Sequence, residues 1–154
     1  MNLARIGIIS DTHGLMRPEA LNELRGMDWI HHAGDVGSPA VLGALRTLAP
    51  VYAVRGNNDR SDWANALPET MTLSYAGTRL HLLHDVHALS LDPGVSGIAV
   101  VISGHSHKPA VESRDGTLFV NPGSAGPRRF SLPVTIAVLH LGNEPEATVV
   151  RLIE

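Results

Sequence analysis

Short apolar runs alternate with helical patterns in the first third of the chain. The runs are brief and end in turn residues, so they predict buried strands at residues 4–10, 28–33 and 51–54. Apolar positions at helical spacing predict helices over 18–25 and 38–48, with Pro18 near the start of the first and Ser38–Pro39 opening the second. This β-α-β-α-β order predicts parallel strands joined by right-handed crossovers.

After Pro68 the pattern becomes one of strands only. A hairpin turn at Ala76–Gly77 separates two alternating runs. The predicted strands of this half cover residues 70–75, 79–83, 98–102, 110–113, 117–120, 134–141 and 147–153. We therefore expect an α/β (α+β) fold in one domain, residues 1–154, with two sheets face to face and helices outside.

Composition and charge exclude several classes of protein. The chain has 154 residues, of which 44% are hydrophobic and 18% charged, as in ordinary globular proteins. The pattern includes no membrane span and no signal peptide, and there is no cysteine for disulfides or thiolate metal sites. We expect a cytoplasmic protein. A net charge of −3 creates no field that would recruit nucleic acid.

Polar blocks follow the predicted strands at the points where those strands end. The blocks are Asp11-Thr12-His13, Gly34-Asp35, Gly56-Asn57-Asn58-Asp59, His84 and Gly104-His105-Ser106-His107. Asp11, Asp35 and Asn57 each follow one of the first three strands. Neighbouring strands lie about 4.8 Å apart, so these three loops can converge on one site. Alternate residues of an extended segment point to one side, which would bring together Asp11 with His13 and His105 with His107. Gly104 would allow a tight turn into the site.

The ligands in these blocks favour transition metals. Carboxylate and imidazole together suit Mn²⁺, Fe, Zn²⁺, Ni²⁺ or Co²⁺ better than Ca²⁺. Two divalent ions carry four positive charges, whereas Asp11 and Asp35 supply two negative ones, so the site should attract a phosphate group and a hydroxide. Two such ions about 3.5–4 Å apart activate water and bind phosphoryl oxygens.

In this order the blocks resemble those of the calcineurin-like metallophosphoesterase superfamily, D-x-H, G-D, G-N-x-D, H and G-H-x-H. Asn121-Pro122-Gly123-Ser124 resembles the N-P-G-S block of its small stand-alone phosphodiesterases. The resemblance implies a four-layer αββα sandwich of two mixed sheets. It also implies a phosphodiesterase whose nucleophile is a hydroxide bridging two metal ions, Mn²⁺ first among them, and whose substrate is a small phosphate ester.

The same resemblance assigns roles to single residues. One metal would take Asp11, His13, Asp35 and His107, and the second would share Asp35 as a bridge and add Asn57, His84 and His105. Asp35, Asn57, Asn58 and His105 would act in catalysis.

Two positions depart from the family pattern. Many relatives have a histidine, a proposed general acid, where this chain has Asn58. The block that normally reads His-Gly is His84-Asp85, so either Asp85 adopts an unusual backbone or the loop differs.

Purely structural roles stay open for many of these residues. Singly, each block could be a turn, a helix cap or a pair of surface histidines, and only the ordered set favours a metal site. Arg128 and Arg129 could bind phosphate or form surface ion pairs, and His31 or His32 could approach the cleft or pack in the core. A scaffold on the same fold and a nuclease are the competing functions, and a homo-oligomer is left open.

Overall fold

The computed structural model describes residues 4–154, which form two five-stranded sheets. The first sheet has the order β10-β9-β1-β2-β3 and the second β4-β5-β6-β8-β7. The strands of the first half are β1 Arg5–Ile9, β2 Trp29–His32, β3 Val51–Ala53, β4 Thr70–Tyr75 and β5 Thr78–Leu83. Those of the second half are β6 Val100–Ile102, β7 Ala110–Arg114, β8 Thr117–Asn121, β9 Thr135–His140 and β10 Glu146–Arg151.

Strand pairing confirms the two halves expected from the pattern. β1 pairs with β2, and β2 with β3, in parallel, while β4–β5 is an antiparallel hairpin. The last two strands pair with each other, and β9 also joins β1 antiparallel, which adds the end of the chain to the first sheet. In the second sheet β5 pairs with β6, and β6 with β8, in parallel, so both sheets are mixed, as predicted.

Helices cover the outer face of the first sheet. These are α1, Pro18–Glu23, and α2, Pro39–Arg46, where the Ser38 side chain accepts a hydrogen bond from the Ala40 N–H. Val41 and Leu45 of α2 pack with Ile9 and Ile30, which point outward from β1 and β2. Side chains that alternate along these buried strands therefore pack into two cores, one under the helices and one between the sheets.

The core between the sheets joins side chains from both. Ile6 and Ile8 of β1 lie in one buried cluster with Leu82 and Ile102 of the second sheet. Burial of each large aliphatic side chain contributes about 1.5–3 kcal/mol, so this cluster is a principal stabiliser of the sandwich.

A thin layer covers the outer face of the second sheet. It contains a short 3-10 helix, Val86–Ala88, and a four-residue helix, α3 Pro93–Ser96, neither of which the apolar pattern predicted. Leu83 and Val101 are buried beneath this layer, together with Ile98. The four-layer αββα order is confirmed, although the last layer is only a few turns thick. A further 3-10 helix, Asp62–Ala66, follows β3. In residues 4–154 no helix has the length and apolarity needed to cross a membrane.

Candidate metal centre

Five loops from both sheets meet at one edge of the sandwich. Three of them follow the parallel strands of the first sheet. The loop after β1 carries Asp11 and His13, the loop after β2 carries Asp35, and the loop after β3 carries Asn57. The other two follow β5 and β6 of the second sheet and carry His84, and His105 with His107. The seven residues predicted as metal ligands therefore lie together in one site.

Asp11, His13 and His107 form the first group of candidate ligands. The Asp11 side chain is fully buried, and its Oδ1 lies 3.3 Å from His107 Nε2 and 3.8 Å from His13 Nε2. The two histidine Nε2 atoms are 3.5 Å apart. These three side chains could hold one metal ion.

His84 is the centre of the second group. Its Nε2 lies 3.3 Å from Asp35 Oδ2, 3.0 Å from Asn57 Oδ1 and 3.3 Å from His105 Nδ1. His105 Nδ1 is also 3.2 Å from Asn57 Oδ1. Asp35 Oδ2 is 3.8 Å from His13 Nε2, so this carboxylate faces both groups.

These separations fit cation binding. Two ligand atoms about 2.1 Å from one metal ion, at angles between octahedral and tetrahedral, lie about 3.0–3.4 Å apart. The shortest distance from each of these side chains to another candidate ligand is 3.0–3.5 Å. In addition, Asp11 Oδ1 is buried without a hydrogen-bond partner in the described chain. A buried carboxylate oxygen of this kind is costly unless a cation compensates it, so the residues fit a metal.

Hydrogen bonds orient the ligands of the second group. His84 Nδ1 lies 2.7 Å from the Ala33 carbonyl, to which it donates, and this leaves Nε2 free to face the other ligands. Burial disfavours the charged ring, but Asp35, Asp11 and the Ala33 carbonyl outweigh burial and raise the pKa of His84. Burial likewise opposes ionisation of Asp35, but hydrogen bonds from His84 and Asn58 hold its pKa well below the usual range.

Asn58, which stands where the family pattern has a histidine, contacts the Asp35 carboxylate. Its backbone N–H donates to Asp35 Oδ1 at 2.8 Å, and its side-chain amide donates to Asp35 Oδ2 at 3.0 Å. Asn58 therefore holds both oxygens of Asp35. An amide cannot deliver a proton at neutral pH, which separates Asn58 from acid chemistry.

The backbone of the ligand loops is not extended, so the prediction from alternating residues was wrong in its reason. Five of the seven candidate ligands have a positive φ, namely Asp11 at 56°, His13 at 47°, Asp35 at 54°, His105 at 69° and His107 at 64°. Only a few per cent of non-glycine residues adopt this region, and such strain concentrates at functional sites. Left-handed turns, rather than alternation, bring these side chains to the same side.

Gly104 is required for close approach rather than for a turn. The φ of Gly104 is not positive, so the turn itself does not require glycine. A Cβ at this position, however, would lie 2.0 Å from Ser10 Oγ and 2.6 Å from Asp11 Oδ2. The His105 N–H instead donates to Asp11 Oδ2 at 3.0 Å. The prediction of a glycine function at this position holds, but its physical reason is the contact between two loops.

Asp85 has an ordinary extended backbone, with φ −115° and ψ 116°. Its Oδ1 accepts a hydrogen bond from the His87 N–H at 3.0 Å and so caps the 3-10 helix that follows. The departure from His-Gly therefore changes the loop chemistry without backbone strain.

His32, for which the sequence left both the cleft and the core open, supports the ligand loops. His32 is buried beneath the ligand loops, where its Nδ1 accepts from the Gly34 N–H and its Nε2 donates to Thr12 Oγ1. Thr12 Oγ1 in turn donates to the Val36 carbonyl. Burial lowers the pKa of His32 to about 3, so the ring is a neutral connector. Its place at the end of β2, directly before Gly34-Asp35, was the available signal.

Asp59 and Ser124 also tie the ligand loops together. The Asp59 carboxylate accepts from the N–H groups of Val36, Gly37 and Gly56 at 2.9–3.1 Å. Ser124, from the N-P-G-S block, donates its hydroxyl to the Asp11 carbonyl at 3.0 Å. The N-P-G-S block thus shapes the site rather than carrying its chemistry.

The side chains of Arg128 and Arg129 have different surroundings in the structure. Arg128 donates to the carbonyls of Leu132 and Glu154. Arg129 lies close enough to His107 to add to the effect of burial, which lowers the pKa of that histidine. Neither arginine forms an ion pair within residues 4–154.

An open cavity of about 610 Å³ adjoins the second group of ligands. Asn57, His84 and Asp85 form the side next to the metal centre, and Arg60 and Asn65 lie among the other lining residues. Arg60 Nε donates to the Asn57 carbonyl at 3.1 Å, which places a cation beside a candidate ligand.

A family model described as the calcineurin-like phosphoesterase superfamily domain matches residues 4–144. The chain belongs to this superfamily. It is 34% identical to a probable metallophosphoesterase of Methanothermobacter thermautotrophicus, over 95% of this chain and 91% of that protein. It is 29% identical to a phosphodiesterase of Methanocaldococcus jannaschii, over 88% of this chain and 92% of that protein.

A solved structure of lower sequence identity shares the fold. Vacuolar protein sorting 29 of Cryptosporidium parvum superimposes with a TM-score of 0.76 at 18% identity, covering 99% of both chains. At this identity the likeness concerns the fold alone, and activity has to be argued from the site.

Proposed function

We propose that the protein is a metal-dependent phosphodiesterase that hydrolyses small phosphate esters at a dinuclear centre. The observation that carries this proposal is the convergence of seven candidate ligand side chains in one site, where Asp35 Oδ2 lies 3.3 Å from His84 Nε2 and 3.8 Å from His13 Nε2. The similarity to an archaeal phosphodiesterase supports the same reaction.

The two groups suggest how two ions would be divided. Asp11, His13 and His107 would bind the first, and Asn57, His84 and His105 the second, with Asp35 bridging. The family resemblance makes Mn²⁺ the first choice for both sites, and Ni²⁺, Fe, Zn²⁺ or Co²⁺, which carboxylate and imidazole ligands also suit, are alternatives. When bound, the ions would supply the attacking hydroxide and neutralise charge on the phosphoryl oxygens.

The residues of this chain then position the reaction. Asn58 keeps both Asp35 oxygens in place, and the Ala33 carbonyl fixes the tautomer of His84. Asn57 and His84 are the candidate ligands that line the adjoining cavity, where the esterified group of a diester could lie. Because Asn58 is no acid, we propose that substrates with good leaving groups react fastest.

The competing functions have less support. A scaffold on this fold does not need metal ligands, whereas this chain keeps all seven. A nuclease would need a basic track for the phosphate backbone, and the net charge is −3. One domain over residues 1–154, a cytoplasmic location and a homo-oligomer stay predictions from the sequence.

The decisive experiment uses metal-stripped protein resupplied with Mn²⁺, Ni²⁺, Zn²⁺ or Mg²⁺. A panel of aryl phosphodiesters and phosphate monoesters is assayed with each metal, and diesters should be hydrolysed faster than monoesters. Asp35→Asn should be inactive, and Asp92→Asn, which alters a carboxylate at the start of α3, should match the wild type. Full activity in excess EDTA would overturn the proposal.

A further inference from the structure

His105 directs one ring nitrogen toward the other candidate ligands. Its Nδ1 lies 3.2 Å from Asn57 Oδ1 and 3.3 Å from His84 Nε2. A histidine that binds a cation through Nδ1 carries its remaining proton on Nε2. The partner of that second nitrogen then decides how the ring is oriented and how strongly it donates to the cation.

Asp85 is the residue that His105 Nε2 faces. Asp85 Oδ2 lies 3.9 Å from this nitrogen, which is longer than a direct hydrogen bond but close enough for electrostatic attraction. The other oxygen, Oδ1, accepts from the His87 N–H and anchors the carboxylate. Asp85 therefore presents a fixed negative charge to the outer nitrogen of a candidate ligand.

We propose that Asp85 is a positioning residue that orients His105 and strengthens binding of a divalent cation at its Nδ1. As Nδ1 donates its lone pair, the ring gains positive charge, and a carboxylate beside Nε2–H stabilises that charge. A glycine, the residue that the family block normally has here, would lack this charge. The inference rests on the proposed two-metal function.

The expected effect lies at the lower end of the usual range. Replacing such outer partners of a metal-bound histidine typically costs 10–100-fold in metal affinity. The side chains of His105 and Asp85 are 44% and 38% exposed, so solvent weakens their attraction. We expect a loss of about tenfold in affinity at one site and none at the other.

The test measures Co²⁺ binding to the full-length protein by calorimetry and visible absorption. Asp85→Asn keeps an oxygen that can cap His87 but removes the charge, and it should weaken one of two Co²⁺ sites about tenfold. In a His105→Ala background the same change should have no effect on the remaining affinity, because the ring it acts on is gone. Thermal unfolding of the metal-free protein should not change.

Asp92→Asn is the matched control, since Asp92 Oδ1 accepts from the Gly94 and Val95 N–H groups in a similar cap. It should leave both Co²⁺ sites unchanged. A wild type that binds one ion would contradict the two-metal function itself. Two ions with unchanged affinity in Asp85→Asn, or an equal loss in the His105→Ala background, would overturn the role of Asp85 alone.

Discussion

The same Asp→Asn change should affect the stability of the metal-free protein in opposite directions at Asp11 and Asp59. Asp11 is fully buried, and its Oδ1 has no hydrogen-bond partner in the described chain. Its Oδ2 accepts from Ser10 Oγ at 2.6 Å and from the His105 N–H at 3.0 Å. An asparagine can keep those two bonds and place its NH₂ where the orphaned oxygen lies, 3.3 Å from His107 Nε2.

The magnitude follows from the cost of an unsatisfied buried group, about 1–3 kcal/mol. We therefore expect Asp11→Asn to raise the free energy of unfolding of the metal-free protein by about 1–3 kcal/mol. For a chain of this size each kcal/mol shifts Tm by about 2–4 °C. Metal should stabilise the wild type strongly and this variant little, because the variant lacks a charged ligand.

Asp59 is the matched control because both of its oxygens are satisfied. Three backbone N–H groups, from Val36, Gly37 and Gly56, donate to this carboxylate. In Asp59→Asn an NH₂ group would face at least one of these donors, and loss of a charge-assisted bond costs about 1.5–3 kcal/mol. The control should therefore lose stability with or without metal.

The assay is urea unfolding followed by circular dichroism at pH 8, with a chelator and then with Mn²⁺. The difference in sign between the two variants is the result that matters. If metal-free Asp11→Asn were less stable than the wild type by more than about 1 kcal/mol, the Asp11 carboxylate would be a structural group rather than a ligand held ready for metal.

Three further predictions address metal content, acid catalysis and pH. Asp35→Asn should lower the metal content from two ions per chain, measured by elemental analysis, because its carboxylate faces both ligand groups; unchanged content would exclude a bridge. Asn58→His should speed hydrolysis of esters with poor leaving groups, by up to about 10²–10⁴-fold if the imidazole reaches the leaving oxygen. A shallow dependence of log kcat on leaving-group pKa in the wild type would show that another acid already acts. Burial lowers the pKa of His31 to about 4 and of His32 to about 3, so the unfolded chain binds protons below pH 6.5 that the folded chain does not. Stability should then fall as pH decreases from about 6.5 to about 4, by up to about 1.4 kcal/mol per unit for each histidine, and a flat urea-unfolding profile would contradict this.

The strands and the positions of the ligands could be predicted because apolar runs mark strands and polar residues follow them. For β1, β2 and β3 parallel pairing alone brings Asp11, Asp35 and Asn57 to one edge. The place of His84, His105 and His107 depends on how the second sheet is stacked on the first, which no local pattern encodes. Their convergence was predicted only through the resemblance to a family.

The short elements were missed because helical periodicity needs more residues than they contain. α3 has four residues, and its signals are local, with Asp92 capping its start and Gly97 ending it at φ 71°. A search for caps rather than periodicity could have found it. The sequence signals for the thin fourth layer of the sandwich are therefore capping and turn residues rather than helical periodicity.

The left-handed backbone of the ligand loops could not be predicted, because its causes lie far away in the sequence. Asp11 is held by the Gly34 carbonyl and by the Ser124 hydroxyl, 113 residues distant. Asp35 accepts a hydrogen bond from Asn58. The N–H groups of its two neighbours, Gly34 and Val36, donate to His32 and Asp59. Strain of this kind persists only where several contacts determine the backbone together. The candidate ligands are therefore positioned by the polar residues around them, among them Asn58, which donates to both oxygens of Asp35 at a position where the family pattern has a histidine.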